Sequence, residues 1–143
     1  MTMNQKHSCA ILVVLLAMVF ATSARAESPD AREGQKYFLR YCASCHGTSG
    51  AGDGPVAKSL AKSPANLRLL AEQYGLPLPA AKLAQIIDGR DAVRAHGTPA
   101  MPVWGEKLYA AGEGERGEVG VSEVLRKIVA YLDTIQDHRH AMR

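Results

Sequence analysis

Apolar positions are unevenly spread along this chain. Residues 9–21 form an unbroken apolar run of 13, preceded by a largely polar stretch containing Lys6 and followed by Ala24-Arg25-Ala26. Small residues in A-x-A order are the pattern of a signal-peptide cleavage site. The run is shorter than the about 20 residues that a helix needs to cross the hydrocarbon core. Residues 1–26 therefore read as an export signal rather than a retained anchor, with one domain at 27–143. Cys9 lies inside the run rather than at its end, which is not where a lipid-anchor cysteine stands.

Beyond the signal the apolar spacing is helical. Ser28-Pro29-Asp30 can cap and open a helix, and Tyr37, Phe38 and Tyr41 recur on one face, predicting a helix over 30–42. Gly47, Gly50, Gly52, Gly54 and Pro55 follow His46 and predict a tightly turned loop over 47–56. Single helical turns fit 56–60 and 66–73. Leu83, Ile86 and Ile87, with Pro79 before them and Gly89 after, predict a helix over 79–88. Two prolines and two glycines argue against a helix at 95–105. A short helix fits 106–110, and the Gly/Glu-rich 112–120 reads as a solvated loop. Ser122 can cap a last helix reaching about Gln136, with Val121, Val124, Leu125, Ile128, Val129 and Leu132 as its stripe. No segment has a strand pattern, and no internal repeat is present, so the fold class is all-α.

Charge narrows the partners. The chain has 17 Lys plus Arg and 14 Asp plus Glu; cleavage after Ala26 removes Lys6 and Arg25 and no acid, leaving 15 against 14 in 117 residues. A balance so near neutral, with no basic block, gives no support to nucleic-acid binding. The mature part has Phe38, Trp104 and five Tyr as its aromatics, few for a core of this size. A bulky apolar group from outside the chain would repair that deficit. Only Cys42 and Cys45 remain after cleavage, too close in sequence to staple distant segments.

Cys42-Ala43-Ser44-Cys45-His46 is C-x-x-C-H, the attachment sequence of c-type haem. Two sulfurs three residues apart at the end of a helix share one face and can reach two vinyl groups on one porphyrin edge. His46, next in line, can offer its imidazole to the iron. A bare C-x-x-C also fits a redox pair, a zinc half-site or a disulfide. A redox pair would want a βαβ setting, and zinc further ligands that only His96, His138 and His140 could provide. Neither context is evident.

Iron held by one His has a sixth position open. Met101 sits between Pro99 and Pro102 in a stiff loop, whereas Met142 adjoins the C-terminal residue. A rigid loop can hold a weak thioether on a metal; Met101 as a gap-filling core side chain is the plain alternative. His96 is the rival ligand, with a surface role as its ordinary reading, and His138 and His140 beside Arg139 read as tail residues.

On these residues the chain resembles the monohaem class I c-type cytochromes, small periplasmic electron carriers, over about 31–135. The motif lies near the mature N-terminus, unlike in the four-helix-bundle cytochromes c′. The family has a Gly and an aromatic eight and four residues before the first Cys, and Gly34 and Phe38 stand there. The resemblance implies a cytochrome c-like fold in which N- and C-terminal helices cross at Gly34, here against Ile128 and Tyr131, and loops wrap one covalent haem c. Gly54-Pro55 is similar to the family's Gly-Pro, implying that the Pro55 carbonyl accepts the imidazole N–H. The Met-Pro pair and Trp104 are similar too, making Met101 the implied sixth ligand and Trp104 a haem-edge residue with its N–H toward a propionate. Arg90 and Arg94 are candidates for the same charges, or surface residues. The 112–120 stretch has no counterpart in the smallest members.

The expectation is a periplasmic, monomeric one-electron carrier with iron held by His46 and Met101, bound to its haem through Cys42 and Cys45. Its partners would be redox proteins met transiently over less than about 1,200 Å², with no nucleic acid and no membrane span after cleavage. The alternatives are an electron-accepting haem subunit of a periplasmic dehydrogenase or oxidase, and a gas-binding haem sensor with an open sixth site. An independent enzyme is not expected: Asp53, Asp88 and Asp91 read as turn or helix-end residues, and no convergent acid/base set is evident.

Overall fold

A computed structural model describes residues 28–90, 101–113 and 117–137. The predicted signal at 1–26, and Arg94, His96, Pro99, His138, His140 and Met142, lie outside them. Six α-helices are described: α1 (Pro29–Tyr41), α2 (Ala43–His46), α3 (Leu70–Tyr74), α4 (Ala80–Asp88), α5 (Trp104–Ala110) and α6 (Gly117–Thr134). Two 3-10 turns, Ala57–Ser59 and Leu67–Leu69, complete the regular structure. No strand occurs among the described residues, in keeping with the all-α expectation.

The first helix starts as its sequence predicts. The Ser28 hydroxyl accepts from the Ala31 N–H at 3.1 Å, and Pro29 occupies the first turn, where no intrahelical donor is needed. The chain bends at Cys42 and resumes as α2, so the motif caps one helix and forms the next turn. Gly47 at φ +79° then reverses the backbone, and Gly52 at φ +85° lies so near the Pro64 carbonyl that a Cβ would stand 2.6 Å from it. The helix predicted over 79–88 runs 80–88 and ends on Gly89 in the left-handed conformation.

The core is the crossing of α1 with α6. Phe38 is fully buried, with its ring 5.2 Å from that of Tyr131 at a tilt of 49°. Val121, Val124, Leu125, Ile128, Val129 and Leu132, the stripe read from the sequence, are all buried. Gly34 lies against the Lys127 carbonyl and the Ile128 amide. Asp30 pairs with Arg126, and Glu33 with Lys127, both at 2.6 Å, along the exposed side of the crossing.

Three boundaries differ from the sequence pattern. α5 begins at Trp104, not 106, because Pro102 bars helix only upstream of itself, and Gly105 fits where a Cβ would stand 2.5 Å from both Arg90 Nε and Asp88 Oδ1. α6 begins at Gly117, so 117–120, expected as loop, is helical. There Gly120 and Val121 are buried, and Glu118 in the first turn meets Arg90 Nη1 at 2.7 Å, which outweighs the poor helix propensity of glycine. α6 also ends at Thr134, short of Gln136.

Candidate functional site

α1, α2, the 65–74 segment, α4, the 101–104 segment and α6 surround one apolar cavity of about 290 Å³. Cys42, Cys45 and His46 line it from the motif, and Met101, Pro102 and Trp104 from the segment leading into α5. Between them lie Phe38, Ile128 and Leu132 from the helix crossing, Leu67, Leu70 and Tyr74 from the middle segment, and Leu83, Ile86 and Ile87 from α4. Residues 59 positions apart in sequence, Cys42 and Met101, thus face one space. Pro55 is not among the lining residues.

Both cysteines are free thiols, so the disulfide reading of the motif is not realised. Burial, and then the neighbouring Cys45, push the Cys42 thiol up to about 12. Among the described residues no group of three His, Cys, Asp or Glu could hold a metal ion; His96, His138 and His140, the further zinc ligands considered above, lie outside those residues.

His46 is held differently from the expectation. Its Nδ1 lies 3.0 Å from the Ala65 carbonyl oxygen, not on that of Pro55. A carbonyl only accepts, so Nδ1 carries the proton and Nε2 keeps its lone pair for a metal. The reason lies in the loop: Gly54 is packed onto the end of the motif, its N–H donating to the Cys45 carbonyl at 3.1 Å, while the Gly50 carbonyl draws in Leu67 at 2.7 Å and brings Ala65 alongside. No sequence signal marks Ala65, because any residue supplies a carbonyl.

Trp104 lines the cavity and meets the ring of Tyr41 edge-on, with centroids 5.8 Å apart. The Tyr41 hydroxyl donates to Glu113, which also pairs with Arg40 at 2.8 Å. Burial first, then the Glu113 hydrogen bond, raise the Tyr41 pKa. Arg90, a candidate for haem propionates, is otherwise engaged. Its Nε and Nη2 each donate to Asp88 at 2.7 Å, and its Nη1 to Glu118.

The donor set suits a covalently held porphyrin. Two thiols, an imidazole with its metal-binding nitrogen available and a thioether all border a space whose other walls are largely apolar and include Phe38, Tyr41, Tyr74 and Trp104. Among the described residues no helix is long and apolar enough to cross a membrane. None of the curated proteins and none of the solved structures compared with the chain matches it. The family described as cytochrome C oxidase, cbb3-type, subunit III matches residues 29–132, most of the chain and every described helix but the last two residues of α6. The chain belongs to that family and is a c-type monohaem cytochrome, with covalently bound haem and electron transfer as its chemistry.

Proposed function

We propose that the protein is an exported, periplasmic one-electron carrier in which Cys42 and Cys45 bind haem c by thioethers, and His46 and Met101 hold its iron. One observation carries this reading: all four side chains line one apolar cavity. The haem supplies a one-electron couple. His46 is oriented by the Ala65 carbonyl, which directs Nε2 to the metal and raises the basicity of the ring. Met101 supplies a soft thioether, which favours the ferrous state, and the Phe38, Leu70, Leu83 and Ile128 side chains exclude water in the same direction. With His46 and Met101 both given to the iron, no coordination position would be left for substrate, so the partners would be redox proteins bound briefly to a monomer. Residues 1–26 support export, and the near-neutral charge of the rest gives nucleic acid no purchase.

Absorption spectra of the purified protein test the ligands. The ferric protein is expected to show the weak Met-to-iron charge-transfer band at the red end of the visible range, and Met101→Ala to lose it. A high-spin wild-type spectrum that shifts on adding carbon monoxide would replace the carrier with the gas-binding reading. Mass spectrometry is expected to give a chain beginning at Glu27 with the added mass of one haem. The description of the family favours one second reading, a haem subunit of an oxidase complex; stable co-purification with larger subunits, rather than migration as a small monomer, would select it.

A further inference from the structure

Gln136 stands out in the core as a buried polar side chain, 5% exposed, two residues past the end of α6. Its Oε1 accepts from the Ala71 N–H at 2.9 Å, and its Nε2 donates to the Leu67 carbonyl at 2.8 Å and the Leu132 carbonyl at 2.7 Å. Both amide donors and the oxygen are thus engaged. Beside it the Asp137 N–H donates to the Arg68 carbonyl at 2.9 Å. Residues 136–137 therefore grip the 67–71 segment through its backbone N–H and C=O groups, with the Arg68–Asp137 ion pair at 3.7 Å beside them. From the other side the Leu67 N–H is held by the Gly50 carbonyl at 2.7 Å. Leu67 is fixed at both its N–H and its C=O, and two residues before it is Ala65, whose carbonyl meets His46 Nδ1.

The geometry points to Gln136 as a positioning residue for the haem iron: by fixing Leu67 and Ala71 it fixes the Ala65 carbonyl, and through that carbonyl the orientation and donor strength of the His46 imidazole. The inference rests on His46 as the axial ligand proposed above. A firm carbonyl acceptor strengthens the imidazole as a donor and favours ferric iron. Releasing the 65–71 segment weakens that bond, so the reduction potential rises.

The test uses the holoprotein. Gln136→Leu and Gln136→Met each keep most of the volume and lose both the acceptor for Ala71 and the donors to Leu67 and Leu132. Asp133→Ala serves as the control, since Asp133 accepts from the Leu78 N–H at 2.8 Å and makes no hydrogen bond to the 65–71 segment. In both Gln136 variants the potential is expected to rise, and the His46 Nδ1–H to exchange with solvent about tenfold faster, the size of one lost hydrogen bond. Asp133→Ala is expected to lower thermal stability with the potential unmoved. In the wild type, which needs no variant to fold, the His46 Nδ1–H and Ala71 N–H are expected to exchange at one shared rate. Destabilised Gln136 variants with an unchanged potential, an equal shift in Asp133→Ala, or wild-type exchange at His46 faster than at Ala71 would each overturn the inference. A wild-type spectrum without a His-ligated haem overturns both this inference and the carrier reading; a normal one with unmoved variants sinks this inference alone.

Discussion

Gly34 lies so close to Lys127 that a Cβ on it would stand 1.9 Å from the Lys127 carbonyl oxygen. That oxygen belongs to the backbone of α6 and cannot swing aside, so Gly34→Ala must push the two terminal helices apart. The expected cost is about 3 kcal/mol, at the upper end for overpacking. Denaturant unfolding of the holoprotein measures it, and a loss under about 1 kcal/mol would mean that the crossing is softer than its geometry.

Gly105 makes the same kind of contact with side chains rather than backbone. A Cβ there meets Arg90 Nε and Asp88 Oδ1 at 2.5 Å, and these two side chains are tied to each other, with Arg90 tied to Glu118 as well. Gly105→Ala is expected to lower stability by about 1–3 kcal/mol, less than Gly34→Ala, with thermal unfolding of the two variants side by side as the measure.

The thioether bonds should decide whether the core forms at all. Seven aromatic residues serve residues 27–143, and the cavity between α1, α4 and α6 is the space that a large flat apolar group would fill. Cys42→Ala and Cys45→Ala are each expected to give little folded holoprotein, read as haem absorbance per unit of protein and by intact mass. A normal yield of folded, haem-free chain from either would show that the polypeptide closes its core unaided.

Acid should loosen the helix crossing. The hydrogen bond from Arg126 holds the Asp30 carboxyl below its ordinary pKa, and that from Lys127 does the same for Glu33. A lowered folded pKa gives stability that is present above the ordinary carboxylate range and is lost as pH falls through the lowered values. The melting temperature is thus expected to drop below about pH 4.5. Asp30→Asn combined with Glu33→Gln should flatten that slope. Both carboxylates are exposed, so the effect is small and fades in added salt. Melting curves from pH 3 to 7 at two ionic strengths check the sign.

Much of this was legible in the one-dimensional pattern because the causes are local. The cap at Ser28, the Tyr37, Phe38 and Tyr41 face and the stop at Gly89 act within one or two turns of chain, and α1 and α4 form within a residue of where they are predicted. The spacing of Cys42, Cys45 and His46 is likewise set by a single helical turn, so the chemistry of the motif needs no fold to be read.

Only the tertiary structure decided the rest, for a common reason: the interactions join residues far apart in sequence through groups that no sequence pattern marks. The start of α6 at Gly117 depends on burial of Val121 and on Arg90, 28 residues upstream of Glu118. Arg90 itself is taken by Asp88 and Glu118, although by spacing alone it was equally suited to a propionate. His46 rests on a backbone carbonyl at Ala65, not on the Gly-Pro that the family resemblance suggested, and that carbonyl is held through Leu67 by Gln136 from the other end of the chain. Side-chain spacing encodes which faces are apolar; which carbonyl a ring nitrogen finds is settled only once those faces have packed.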